Sequence, residues 1–159
     1  MSLEFSIKEI VSAFMVLFAI IDITGSIPII IDLKSKGNSI KPLPTVIGSF
    51  AVFIAFLYAG EGLLSLFGVD IQSFAVAGAI VILVLAIEMI LGVELMKNDG
   101  PKGAATLVPL IFPLIAGAGT LTTLLSLRAE FHTENIIVAI ILNMVFVYLV
   151  LAKLHIIEK

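Results

Sequence analysis

Residues Phe18–Leu33 read FAIIDITGSIPIIIDL, and 94 positions later (112 − 18) Phe112–Leu127 read FPLIAGAGTLTTLLSL. The two Phe coincide, as do Gly25 with Gly119 and Leu33 with Leu127; Ser26 falls on Thr120, and aliphatic residues match at most other places. Each copy carries a glycine followed by a hydroxyl in the middle of an apolar run. In the first, Asp22-Ile23-Thr24-Gly25-Ser26-Ile27-Pro28 is a poor helical segment. Pro28 has no backbone N–H and its ring crowds the carbonyl of Thr24, while Gly25 lowers the cost of leaving helical angles. The second repeats the theme with Pro109, Pro113, Gly117 and Gly119, then Thr120, Thr122 and Thr123. Both copies read as helices broken near their middles.

The rest of the chain sets these breaks in a bilayer. Of 159 residues 60% are hydrophobic and 13% charged, against about 25% charged in a soluble domain. A small soluble fold buries only about two-thirds of its unfolded-chain surface and could not hide this much apolar area. A span needs roughly 20 apolar residues, and five runs meet or approach that: about Ile10–Ile31, Leu43–Gly60, Ile71–Leu95, Gly103–Leu127 and Asn135–Ala152. They lack the period-two alternation of a membrane barrel. The connections are short and rich in breakers: Lys34–Asn38, Gly60-Glu61-Gly62, Asn98-Asp99-Gly100-Pro101 and Arg128–Glu134. The fold class expected is an all-α membrane protein, an antiparallel transmembrane helical bundle forming a single membrane domain over 1–159. The apolar N-terminal run continues past Asp22 without a cleavage pattern, so it is read as a retained first span rather than a signal peptide.

Lys34, Lys36, Lys41, Lys97, Lys102, Lys153 and Lys159 fall on one side of such a bundle, and Lys8 and Arg128 on the other. By the positive-inside rule the first group is cytoplasmic, which puts the N-terminus outside a multi-pass protein of the cytoplasmic (inner) membrane. The first copy opens span one and the second opens span four. Three spans separate their starts, so the second copy runs in the opposite direction. That is an inverted-topology repeat, with halves at about 8–97 and 102–159, the architecture of many secondary transporters. It predicts six spans; five are visible, the second half being incomplete.

Non-helical backbone at membrane depth is tolerated only where it is buried in protein or lines a wet cavity. The N-terminus of a half-helix offers free N–H groups and a positive dipole end to an anion. Two such ends suit a small carboxylate, with Ser26 and Thr120 adding hydroxyls, while the freed carbonyls and Asp22 receive an ammonium group or a proton. A zwitterion satisfies both. The candidate substrate-binding residues are therefore Asp22, Thr24, Gly25, Ser26, Gly117, Gly119 and Thr120, with helix breaks at Pro28, Pro109 and Pro113. Asp22 is costly against lipid and is expected to face the bundle interior or water. Glu88 is balanced between a coupling role and snorkelling to the interface, and Asn143 is read as an interhelical partner more readily than as a ligand contact. The competing structural reading is that the glycines serve helix packing in a scaffold subunit.

Other classes lose support. There is no His-Glu-x-x-His, no Gly-x-Ser-x-Gly and no phosphate-binding loop, so neither an enzyme nor a nucleotide-driven pump is expected. With no cysteine, thiolate metal sites and disulfides are excluded. No cofactor or metal is expected. No basic stripe suggests nucleic acid. His132 is placed in a loop and His155 in the C-terminal tail.

At its two broken motifs the chain resembles the MarC family of bacterial and archaeal membrane proteins, also described as small neutral amino acid transporters. That family carries Asp/Asn-Pro-x-Gly-x-x-Pro in its first helix, where this chain has Asp22-Ile23-Thr24-Gly25-Ser26-Ile27-Pro28. Its fourth helix reads close to Pro-Leu-x-x-Pro-Leu-x-x-Gly-Pro-Gly, matched by Pro109-Leu110-Ile111-Phe112-Pro113-Leu114-Ile115-Ala116-Gly117-Ala118-Gly119. Ile23 and Ala118 depart from the pattern, which has Pro there, so the unwinding rests on Gly25, Pro28, Gly117 and Gly119. The resemblance implies six spans in two inverted halves and a substrate site at the broken helices. It also implies uptake or export of glycine, alanine or a related amino acid; a proton or sodium ion is a compatible coupling partner. Membrane lipid and a homo-oligomeric partner are compatible with it. The alternatives are a non-transporting membrane scaffold or assembly subunit and a passive channel.

Overall fold

Helix α1 begins at Ile7, where the Ser6 hydroxyl accepts from the Glu9 N–H at 3.4 Å, and it stops at Ile21. What stops it is Asp22, which adopts a left-handed conformation (φ 38°, ψ 55°). A non-glycine residue takes that conformation rarely, and Asp is among those that tolerate it. The chain then turns through Ile23–Ser26 and resumes as α2, Ile27–Ser35. The run read from the sequence as a first span is thus two helices, parted where Gly25 and Pro28 fall. The computed structural model describes residues 5–35, 40–91, 111 and 114–157. Its other helices are α3 (Pro42–Leu66), α4 (Ile71–Leu91), α5 (Ala118–Glu130) and α6 (Thr133–Ile157). Every regular element among the described residues is a helix.

Two expected boundaries are corrected. Gly60-Glu61-Gly62 is not a connection: α3 runs through it to Leu66, and the turn falls at Phe67–Asp70 around Gly68 (φ 65°). A glycine inside a helix costs about 1 kcal/mol, less than stranding backbone groups in hydrocarbon. Gly60 is also buried, with the Phe56 ring where a Cβ would stand. Likewise α5 continues past Leu127 to Glu130, leaving only Phe131-His132 before α6. Residues 92–110, including Asn98-Asp99-Gly100-Pro101 and Pro109, lie outside the described residues, as does Pro113.

Among the described residues, Pro42–Leu66 and Thr133–Leu154 are long and apolar enough to cross a membrane. At 1.5 Å per residue, the 25 residues of α3 span about 37 Å. The core is a stripe from each helix. Ala13, Leu17 and Ile21 of α1 pack with Ile136, Ile140 and Val147 of α6, the helix α1 touches most. Helix α3 leans on α5 and α6, and α4 on α5. Outward-facing side chains are themselves apolar: Ile7, Leu66, Phe67 and Ile90 are each more than three-quarters exposed. Water would penalise that surface; lipid does not.

Polar links hold the helices in register. The Asn143 amide donates to the Phe14 carbonyl of α1 at 3.3 Å and to Ala139 of its own helix at 2.9 Å. It is the interhelical partner that its place in the last span suggested. Arg128, at the end of α5, donates to the Leu57 carbonyl of α3 at 2.5 Å.

Candidate functional site

The break in span one is built around one carboxylate. Asp22 Oδ1 accepts the Gly25 N–H at 3.0 Å and the Thr24 hydroxyl at 3.1 Å. The Asp22 carbonyl accepts the Ser26 N–H at 3.1 Å and the Ser26 hydroxyl at 3.0 Å. The Asp22 side chain therefore closes the turn Ile23–Ser26 that leads into α2, in the way an N-cap carboxylate accepts an N–H three residues on. Pro28 is the second residue of α2, where a missing N–H costs nothing. It opens the half-helix. Gly25 is dictated by space, because a Cβ there would fall within the Asp22 carboxylate. Asp22, Thr24 and Gly25 are exposed, whereas Ile23 and Ser26 are buried.

The break in span four is differently made. The Ala116 N–H reaches back five residues to the Ile111 carbonyl at 2.8 Å, a widened turn of the kind found at functional irregularities in helices. Gly117 is extended (φ −78°, ψ 173°), and α5 starts at Ala118 with no side chain capping it. The Thr120 hydroxyl, buried, is turned back to the Ile115 carbonyl at 2.9 Å, and Leu121 N–H donates to Gly117 at 2.9 Å. Thr122 and Thr123 both donate to the Gly119 carbonyl. Ahead of Leu121, the amides of Ala118, Gly119 and Thr120 belong to the first turn, where helices have no internal acceptors.

These two breaks meet. The Cβ position of Gly119 is 3.8 Å from Cγ2 of Ile20, two residues before Asp22. Ile21 and Ile115, the matched residues just ahead of each break, are both in the core. Of the residues singled out in the sequence, Asp22, Thr24, Gly25 and Ser26 form one turn, and Gly117, Gly119 and Thr120 form the other beside it. Asn143 contacts Phe14, two turns away along α1. Glu88 lies on α4, and its side chain is outside the described residues.

Two features were not legible in advance. Ser49 of α3 is fully buried, and its hydroxyl has no hydrogen-bond partner among the described residues. It shares a buried stripe with Thr45 and Phe53, each one turn away. The other is a clasp at the helix starts. Glu9 Oε2 accepts the Asn135 amide at 2.7 Å and the His132 N–H at 3.0 Å, with His132 Nδ1 at 3.2 Å. Asn135 Oδ1 in turn accepts the Ser6 N–H at 3.3 Å. Glu9 lies in the first turn, ahead of the apolar run, at the N-terminus of α6. Its carboxyl is held below the ordinary value by the Asn135 amide first, then by the His132 N–H, and the dipole of α6 favours the same charge.

A scan against protein families matches residues 7–159 to the MarC family of integral membrane proteins. The chain belongs to that family. A UPF0056 membrane protein of Methanocaldococcus jannaschii is 29% identical, over 91% of this chain and 78% of the relative. One from Buchnera aphidicola subsp. Baizongia pistaciae is 31% identical, over 90% of this chain and 72% of the relative. The UPF0056 inner membrane protein YhgN of Escherichia coli K12 is 28% identical, over 85% and 73%. No solved structure matches the chain. As a MarC family member it is an integral membrane protein, and its helices are those of one.

Proposed function

We propose that the protein is a secondary transporter of a small neutral amino acid such as glycine or alanine. It would act in the cytoplasmic membrane with its N-terminus outside. The observation that carries this reading is the pair of breaks at matched places in two similar segments, brought side by side at Gly119 and Ile20. In an antiparallel bundle with inverted halves, such a pair forms a site near the midplane. The exposed Asp22 carboxylate, anchored by Oδ1, keeps a second oxygen for an ammonium group or a coupling proton or sodium ion. Because the negative Asp22 carboxylate occupies the turn that leads into α2, the substrate carboxylate is assigned to the other half-helix, at Gly117–Thr120. Small residues there leave room for a glycine or alanine side chain and little more.

A scaffold role is the second reading, and one observation favours it: among the described residues, the side-chain hydrogen bonds of Asp22 are made within its own turn. The two part in proteoliposomes. Counterflow of labelled glycine and alanine by the full-length gene product should be saturable, and lost in Asp22→Ala while the protein stays folded in the membrane. Absence of counterflow from well-folded wild type would favour the scaffold, and unchanged counterflow in Asp22→Ala would remove the role given to Asp22.

A further inference from the structure

The two halves of the broken span are fastened unequally to α6. Helix α1 is tied to it at three levels. At its start, Ser6 and Glu9 bond Asn135 and His132. Further along, the Asn143 amide donates to the Phe14 carbonyl at 3.3 Å. One turn beyond that, the Phe18 ring meets the Phe146 ring edge-on, centroids 5.0 Å apart. Between these ties Ala13, Leu17 and Ile21 are buried. Moving α1 off α6 means breaking all three levels together.

Helix α2 is nine residues long and puts Ile30 and Leu33 into the core. Its side-chain bond to α6 comes at its far end, where Lys34 Nζ donates to the Leu154 carbonyl at 3.3 Å. Leu154 lies in the last turn of α6, which ends at Ile157. Carbonyls there have no donor within their own helix, and the dipole favours a basic group beside them. At its near end α2 is bonded into the turn before it. Gly25 and Thr24 donate to the Asp22 carboxylate, Ser26 to the Asp22 carbonyl, Ile27 to Thr24 and Ile30 to Ser26. These bonds all lie inside residues 22–30, so the turn and α2 form one piece. It joins α1 at Asp22, whose left-handed backbone ends that helix. Residues at the ends of elements are the ones that absorb the angle changes of a hinge.

Resting on the transport reading, we infer that α2 is a gate on the side of the site away from the N-terminus, and that Lys34 is its latch. The turn and α2 swing about Asp22 while α1 stays clasped to α6. The swing lifts Ile30 and Leu33 out of the core and opens Ser26, buried in the closed form, to water. Because the Leu154 carbonyl has no helical donor to lose, the latch opens and closes without disturbing α6. The fixed half carries the clasp and the moving half carries the latch.

The chain has no cysteine, so a single introduced thiol reports on one place. Ile30→Cys places it under α2, and Leu17→Cys under α1; both positions are buried. The rate of modification by a charged, water-soluble thiosulfonate is measured for each in full-length protein in lipid nanodiscs, with Lys34 intact and with Lys34→Met. Ile30→Cys should react faster than Leu17→Cys. Lys34→Met, which keeps the apolar stem and loses the donor, should raise the Ile30→Cys rate about tenfold, the scale of one hydrogen bond made by a charged group. It should leave Leu17→Cys unchanged, and Lys34→Arg should keep the Ile30→Cys rate near that of the intact latch. An Ile30→Cys rate indifferent to Lys34→Met would overturn the gate. So would an equal rise at both positions, which is a general loosening of the bundle. Alanine counterflow on the same protein separates this from the transport reading. A selective Lys34 response without counterflow removes the substrate and leaves the hinge, whereas counterflow without that response removes the gate alone.

Discussion

Adding one methyl group at Gly25 should be costly because of Asp22 and for no other reason. A Cβ at Gly25 would overlap the Asp22 carboxylate, so Gly25→Ala must swing that side chain out of its turn. The Gly25 N–H and Thr24 hydroxyl then lose their acceptor. A lost N-cap costs about 0.5–2 kcal/mol, and the exposure of Asp22 argues for the middle of that range, about 1 kcal/mol. Against this, Ala in place of Gly restricts the unfolded chain, a gain of about 0.4–1 kcal/mol where the backbone permits it. In an Asp22→Gly background the obstacle is absent and glycine suits the left-handed angle (φ 38°), so the same Gly25→Ala change should be neutral or stabilising. The gain is common to both backgrounds and cancels, so the double-mutant cycle should show a coupling equal to the lost cap, about 1 kcal/mol. Unfolding in mixed micelles, followed by circular dichroism, measures all four proteins. Additive costs, with no coupling beyond about 0.5 kcal/mol, would refute the close approach as the reason for glycine.

Gly119 offers the contrast: its Cβ position meets only Ile20 Cγ2, at ordinary contact distance. Gly119→Ala should keep or raise stability, by up to about 1 kcal/mol, and Gly119→Leu should lower it in the same micelle titration. Asn143→Leu removes the link to Phe14 and should cost about 0.6–2 kcal/mol, read as a lower unfolding midpoint. The Glu9 clasp sets a pH dependence. The folded-state pKa of Glu9 lies below its ordinary 4.5, so its stabilisation is complete above about 4.5 and is lost as pH falls through the lower, folded-state value. Melting temperature should drop in that acid range for wild type and less for Glu9→Gln; equal drops would remove Glu9 from the account.

The sequence made the membrane setting plain, because no soluble fold covers so many apolar positions. It also located both breaks, since Pro28, Gly25 and the Gly117–Gly119 pair act on backbone geometry regardless of what packs around them. Helix ends were less legible. Gly60 and Gly62 look like a connection in one dimension, yet the burial of Gly60 against Phe56 and the need to satisfy backbone carry α3 six residues past Gly60 to Leu66. Nor could the sequence tell what Asp22 does with its oxygens, because that depends on a left-handed angle. Ser49 resembles Thr45 in sequence; only the absence of a partner separates them. The Glu9–His132 contact joins residues 123 positions apart, beyond any local pattern.

That separation has a consequence for how the protein is made. At about 5–20 residues per second, a ribosome needs roughly 6–25 s to travel from Glu9 to His132. For that interval α1 is in place without the helix it packs on most, and its Glu9 carboxylate waits at the membrane edge in contact with water. The arrival of His132 and Asn135 fixes the first helix against the last described one. Helix α1 is thus held open until α6 has been synthesised, and substitutions at Glu9 or Asn135 would be felt first as poor assembly of newly made chains, before any loss of stability in mature protein.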